Sequence, residues 1–230
     1  MTVDASNLPD VSGLTVGILG GTGPQGRGLA YRLARAGQPV VIGSRTAERG
    51  KAAAAELTGM PGVAVPLHGG DNEQAARRGD LVIVTVPWDG HAATLSALAG
   101  PLTGTIVVDC VNPLGFDQRG PHPLPVPEGS AAEQAAALLP GSRVCAGFHH
   151  VSAELLVDPA VDRVELDVLV LGDDRPAVAT VQALANRIPG VRGVYAGRLR
   201  NAGQVEALTA NLVAINRRYK IHSGVRITGL

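Results

Sequence analysis

A chain of 230 residues is long enough for one large domain, or one domain with a small appendage. Hydrophobic residues make up 45% and charged residues 17%, which allows a sizeable core and excludes wholesale disorder. The 20 basic residues match the 20 acidic ones, so nothing in the balance attracts nucleic acid or a membrane surface, and an anionic ligand must be held by local groups.

The first thirteen residues read as a loose leader: they carry acids and a proline but no apolar block. Thr15 to Leu19 is a short apolar run expected as a buried strand, followed by a glycine-rich turn and a helix from Gly26 to Ala36. Val40-Val41-Ile42 is a second strand, and Thr46 can cap a helix reaching Leu57. Val63 to Leu67 is a weak third strand, and Asn72 to Arg78 a short helix. Leu81 to Val86 is the most apolar strand; Pro87 ends it, and Asp89 can cap a helix to about Leu98. Thr105 to Asp109 is a fifth strand, and the stretch Asn112 to Gly129, with five prolines, is expected as loop. Beyond it, Ala131 to Leu139 reads as a helix and Val144 to Phe148 as a sixth strand.

Strand and helix alternate throughout, which predicts right-handed βαβ units and an α/β fold with a doubly wound, mainly parallel sheet. Only 3% of residues are aromatic, so aliphatic strands must fill that sheet's core. Val168 to Leu171, a helix from Arg175 to Arg187, and Val191 to Tyr195 extend the pattern. A long helix from about Asn201 to Tyr219 closes it, with Val205, Leu208, Leu212, Ile215 and Tyr219 on one face. The expected organisation is a leader at 1–13, a Rossmann domain at 14–197 and a C-terminal helical segment at 198–230 that completes the site.

Gly21-Thr22-Gly23-Pro24-Gln25-Gly26 is a G-x-G-x-x-G sequence in its required setting, after a strand and before a helix. The first glycine allows the tight turn, the second lets backbone approach a pyrophosphate, and the third lets helix pack on strand. Pro24 has no N–H, so the amides of Thr22, Gly23 and Gln25 are expected to meet the phosphates. The second strand ends in Gly43-Ser44-Arg45-Thr46, with no acid before Glu48. An acid there would select NAD through the ribose 2′-hydroxyl; Ser44 and Arg45, with Arg49 one turn on, favour the 2′-phosphate of NADP.

Ligands of such sheets sit at the carboxyl ends of the strands. Val86-Pro87-Trp88, Asn112 and the run Phe148-His149-His150-Val151-Ser152-Ala153 fall there. Trp88 suits either a pocket wall or core filling. His149 is the candidate titratable residue, with a structural role equally open, and neither it nor His150 has a carboxylate partner visible in sequence. The absence of a Lys, Tyr or nucleophile at a strand end argues against a reaction that needs an essential acid or base; none is assigned. No metal-ligand spacing is present. Cys110 and Cys145 suit a reducing compartment, and no apolar run approaches membrane length.

Taken together, these segments resemble the NADPH-dependent reductases of the deazaflavin coenzyme F₄₂₀. The resemblance runs over almost the whole chain from Leu14. It rests on Gly20-Gly21-Thr22-Gly23, Gly43-Ser44-Arg45, Thr85-Val86-Pro87-Trp88, Phe148-His149 through Ser152-Ala153, and Asn201 through Val205-Glu206-Ala207-Leu208-Thr209. It implies NADP along the glycine turn, with Ser44, Arg45 and Arg49 on its 2′-phosphate. It further implies a deazaflavin stacked on the nicotinamide near Val86, Trp88, His149, Val151, Ser152, Ala153 and Val225, and hydride transfer without a covalent intermediate. Arg217, Arg218 and Arg226 could meet the coenzyme's anionic tail or face solvent. A cytoplasmic enzyme is implied, with a homodimer as an open option and without nucleic-acid or membrane partners. Two alternatives stay open: reduction of a small imine, ketone or metal-bound acceptor, and a non-catalytic NADP-binding redox sensor.

Overall fold

The computed structural model describes residues 8–230, so the expected leader lies outside it as far as position 7. From there the chain is soon packed: Val11 is buried, and the buried Gln38 side chain donates to the carbonyls of Val11 and Leu14.

The sheet follows from aliphatic strands that stack side by side. Its strands are β1 (Val16–Leu19), β2 (Val40–Ser44), β3 (His68–Asp71), β4 (Leu81–Val84), β5 (Ile106–Asp109), β8 (Arg143–Ala146), β9 (Leu166–Gly172) and β10 (Val191–Gly197). Their order is β10-β9-β8-β5-β4-β1-β2-β3. Strands β1, β2, β3, β4, β5 and β8 are mutually parallel, β9 runs antiparallel to β8, and β10 is parallel to β9. Successive side chains of β4 and β5 point to opposite faces, so each strand feeds two cores. On one face Ile83 and Val108 meet α1 (Pro24–Arg35), α2 (Ala47–Thr58), α6 (Ala153–Val157) and α7 (Arg175–Ala185). On the other, Val82 and Val107 meet α3 (Asn72–Arg78), α4 (His91–Leu98), α5 (Ala131–Leu138) and α8 (Ala202–Tyr219). The doubly wound, mainly parallel architecture is therefore as expected.

Several local expectations differ. The third strand is not the apolar Val63–Leu67 but His-Gly-Gly-Asp at 68–71. A Cβ on Gly50 of α2 would lie 2.0 Å from the Gly70 carbonyl, so this strand exists by close backbone approach to a helix, which leaves no hydrophobic signal. The proline-rich stretch holds an antiparallel hairpin of β6 (Leu114–Asp117) and β7 (Gly120–Pro123). Asp89 does not cap α4; it lies in a 3-10 turn, Trp88–Gly90, that precedes the helix. Thr46 stands at the N-cap of α2 without a side-chain bond. The sixth strand stops at Ala146, because Phe148 adopts φ +63°, a left-handed conformation that a strand cannot carry. On α8, Val205 and Leu212 are buried, whereas Tyr219 is 68% exposed and Ile215 is also at the surface.

Helix α6, which the sequence did not suggest, is fixed by one buried cation. Arg32 of α1 is 1% exposed. Its guanidinium donates to the carbonyls of Leu155, Leu156, Asp158 and Val161 at 2.5 to 2.9 Å. Arg32→Ala would leave those acceptors unpaired. Chemical denaturation should show a loss of about 3 kcal/mol, with Arg32→Lys losing less; an unchanged midpoint would show that α6 holds itself in place.

Candidate functional site

At the carboxyl edge of the sheet, three adjoining cavities form one trough. The first, about 600 Å³, runs along the glycine turn and is lined by Thr22, Gly23, Pro24, Gln25, Ser44, Arg45, Arg49, Asn72 and Thr85 to Pro87. The middle one, about 420 Å³, is walled by Gln25, Val86, Pro87, Trp88, Val111, Asn112, His149 and the hairpin residues Leu114 and Phe116. The last, about 570 Å³, lies between Asn112, His149 to Ala153 and the α8 residues Thr209, Leu212, Asn216 and Arg217. Gln25 borders all three.

The glycines divide their work differently from one another. Gly21 and Gly26 do not line the trough. A Cβ on Gly26 would lie 2.5 Å from the Gly21 Cα, so these two let α1 close on β1. At Gly23 a Cβ would meet only the Gly20 carbonyl, at 3.4 Å, so its lack of side chain leaves space for a ligand. Its N–H is already committed to the Gly20 carbonyl at 3.0 Å, which corrects the expectation that it binds phosphate. Thr22, Gln25 and Gly26 keep amides without a partner among the described residues, at the positive end of α1.

Ser44 is buried and its Oγ lies 3.3 Å from the Thr22 Oγ1. Arg45 and Arg49 are exposed, line the same cavity and make no ion pair among the described residues. Two unpaired guanidiniums around a hydroxyl are suited to an exposed phosphate. Asn72 was not anticipated: its Oδ1 accepts from the Gly20 amide at 3.1 Å and steadies the turn.

The middle and last cavities meet at His149. This residue and His150 are each 4% exposed, and burial holds both at about 4, so neither is charged near neutral pH. Among the described residues, both ring nitrogens of His149 lack a partner, as does the Asn112 Oδ1. The Asn112 Nδ2 donates to the His149 carbonyl at 2.8 Å, and Thr209 Oγ1 donates to the same oxygen at 3.2 Å. Gln25 Nε2 donates to the carbonyl of the left-handed Phe148. The turn is thus clamped from three elements. The His150 Nε2 instead faces the Leu169 amide of β9. Ser152 stands at the N-cap position of α6 without a side-chain bond to the helix, and its Oγ sits 3.3 Å from the His222 Nδ1.

The structure places two residues of the C-terminal tail away from the trough. Val225 lies outside the three cavities; its carbonyl accepts from the Asp167 amide at 2.7 Å. Arg226 pairs with Glu165 and with the fully buried Asp167, which also holds Arg192 at 2.6 Å and the Ile227 amide. Arg226 is therefore engaged within the protein, while Arg217 borders the last cavity.

A further titratable group escaped the sequence reading. His91 begins α4, and its Nε2 lies 2.6 Å from the Asp109 Oδ2, both side chains fully buried. The His91 ring is 5.5 Å from that of Trp88, which packs on the second core while walling the middle cavity. Nearby, Glu206 of α8 accepts the amides of Ala131 and Ala132. The available signal was weak: a histidine three residues past Trp88 and an acid ending β5.

A glycine turn opening a helix, unpaired cations beyond the second strand and a long trough across the switch in strand order define a dinucleotide-binding oxidoreductase fold. The description "NADP oxidoreductase coenzyme F420-dependent" matches residues 15–113. Over 223 residues the chain is 37% identical to the F420-dependent NADP reductase of Methanothermobacter thermautotrophicus, spanning 94% of this chain and 96% of that protein. The corresponding protein of Methanocaldococcus jannaschii is likewise 37% identical, over 94% and 99%. Among solved structures, a putative F420-dependent NADP reductase from Arthrobacter sp. FB24 superposes with a TM-score of 0.76 at 27% identity, covering 94% of this chain and 100% of that one. The chain belongs to the F420-dependent NADP reductase family. Among the described residues no cluster of metal-ligating side chains occurs, and no helix is long and apolar enough to cross a membrane.

The glycine geometry separates two kinds of damage. Gly23→Val should leave the thermal transition close to wild type yet abolish dinucleotide binding by calorimetry. Gly26→Ala should destabilise the fold itself by about 1–3 kcal/mol. The reverse pattern would mean that the turn is not the phosphate site.

Proposed function

We propose that the chain transfers a hydride between NADP(H) and coenzyme F₄₂₀. The observation that carries this reading is the continuous trough: a cationic first cavity opens, past Gln25 and Trp88, into two more cavities that meet at His149. The residues present fit the dinucleotide. Thr22 and Gln25 offer free amides for the pyrophosphate, Gly23 leaves it room, and Ser44, Arg45 and Arg49 suit a 2′-phosphate. When bound, the nicotinamide and the deazaflavin supply the redox chemistry between them, stacked face to face.

The chain contributes placement and dryness. Val86, Pro87 and Trp88 wall one side of the ring slot, and Val151, Ser152 and Ala153 border the other cavity. The neutral His149 can hydrogen-bond and orient an acceptor; it is no proton store at neutral pH. Rate then comes from alignment. The same reading expects a cytoplasmic enzyme, and a homodimer would cover the exposed Tyr219 and Ile221.

The direct test mixes purified protein with NADPH and oxidised F₄₂₀ and follows deazaflavin absorbance. A change with F₄₂₀, and none with small imines or ketones, supports the reading; the opposite pattern refutes it. Cofactor choice is tested separately. Arg45→Ala should weaken NADPH by roughly 1.5–3 kcal/mol and NADH little; equal losses would remove Arg45 from the 2′-phosphate.

Two variants probe the ring slot. His149→Gln should slow single-turnover transfer by no more than about 10-fold, because general acid–base catalysis would contribute roughly 100- to 10,000-fold. Ala153→Phe should abolish transfer while NADPH affinity persists. A thousandfold loss in His149→Gln with both cofactors bound normally would make the histidine a catalyst.

A further inference from the structure

Every contact around His91 asks its imidazole to donate. The Nε2 faces the Asp109 carboxylate at 2.6 Å, and the Nδ1 faces the Gln134 Oε1 at 2.9 Å. That amide cannot be turned round at no cost, because the Gln134 Nε2 donates to the Glu128 carboxylate at 3.2 Å. Flipping it would set amide oxygen against carboxylate. A ring with acceptors on both nitrogens is an imidazolium. The other groups facing it are Trp88 and, from α8, the carboxylate of Glu206. Burial opposes the charge, and the hydrogen bond and charge of Asp109 more than offset that, so His91 stays protonated above its ordinary range. Burial also raises Glu206, to about 7, against the opposing hydrogen bonds from Ala131 and Ala132.

We propose that His91 is a buried imidazolium that acts as a positioning residue, setting both walls of the middle cavity through Trp88 and Asp109. On one side its ring supports Trp88. On the other, the second oxygen of Asp109 accepts the Val111 amide at 3.0 Å, and Val111 and Asn112 form the opposite wall. One charged pair therefore joins the loops after β4 and β5. The sign follows from the direction of the shift. The pair's stabilisation is complete below the ordinary histidine value of 6.5 and is lost as pH rises through the higher folded value. Loss of the proton breaks the bond to Gln134 and loosens Trp88. The positioning role rests on the function proposed above; the ionisation does not.

Trp88 is the only tryptophan in the chain, so all tryptophan emission comes from the residue beside His91. Protonated imidazole quenches indole emission more strongly than neutral imidazole. Emission of the wild-type protein should rise in a step lying above pH 6.5, the step should vanish in His91→Gln, and Glu206→Gln should keep it but move it to lower pH. A step that persists in His91→Gln, or that lies below 6.5 in wild type, overturns the proposal. Should His91→Gln fail to fold, the imidazole nitrogen resonances of the wild-type protein decide: both nitrogens protonated near neutrality supports it, a neutral tautomer refutes it. For positioning, His91→Gln should slow single-turnover transfer by about 10- to 100-fold with NADPH affinity little changed; an unchanged rate refutes the role. If the wild-type protein transfers no hydride to F₄₂₀, the proposed function falls. Energy transfer from Trp88 to bound NADPH then replaces the rate as readout, and unaltered transfer in His91→Gln refutes the positioning role.

Discussion

Helix α1 approaches the sheet more closely than any side chain would permit. A Cβ at position 26 would lie 2.5 Å from the Gly21 Cα and 2.6 Å from the Thr85 Oγ1. Thr85 itself donates to the Leu19 carbonyl, and the Gly21 amide donates to the Gly43 carbonyl. The ends of β1, β2 and β4 are thereby tied to the first turn of one helix. That contact places the free amides of α1 between Ser44 on one side and Val86 on the other, and the order of the trough follows from it.

The far half of the trough is organised by buried charge. Arg32 grips the carbonyls that end α6, Asp167 anchors Arg192, Arg226 and the backbone of the tail, and Glu206 caps α5 from α8. Desolvating such groups is costly, and hydrophobic replacements are often as stable. Each one sits where regular structure meets an irregular segment: the α6 turn, the C-terminal tail, the loop before α5. Those segments have too little apolar surface to dock by burial alone. Directional bonds from an enclosed charge define their position, and the last cavity takes its shape from them.

The same physics explains what could be seen in the sequence. Aliphatic strands such as Leu81–Val84 and the glycine turn announce themselves, because their periodicity and residue type are direct consequences of burial and of the turn's backbone. Ser44, Arg45, Arg49, Trp88 and His149 were legible because strand ends fix where ligands bind. What stayed hidden depends on long-range pairing. The strand at His68–Asp71 exists because glycines admit α2, the hairpin because Leu114–Asp117 found Gly120–Pro123, and α6 because Arg32 reaches it from more than 120 positions away. The joining of His91 with Asp109 depends on β4 and β5 being neighbours, which no local pattern states.

The two ends of the trough differ in electrostatic character, and the difference suits what each must do. Arg45 and Arg49 stand in water, where free cations cost little and can still meet a doubly charged phosphate. Beyond Gln25, His149 and His150 are enclosed and neutral, Cys110 is buried with its thiol held protonated by that burial, and Val86, Pro87 and Trp88 form part of the wall. The enclosed walls are thus neutral and apolar, while the exposed Asp89 also lines the middle cavity. The His91 ring packs beside Trp88 and is paired with Asp109. Two of the residues that wall the middle cavity, Trp88 and Val111, are therefore tied to one buried hydrogen-bonded pair and do not rest on apolar packing alone.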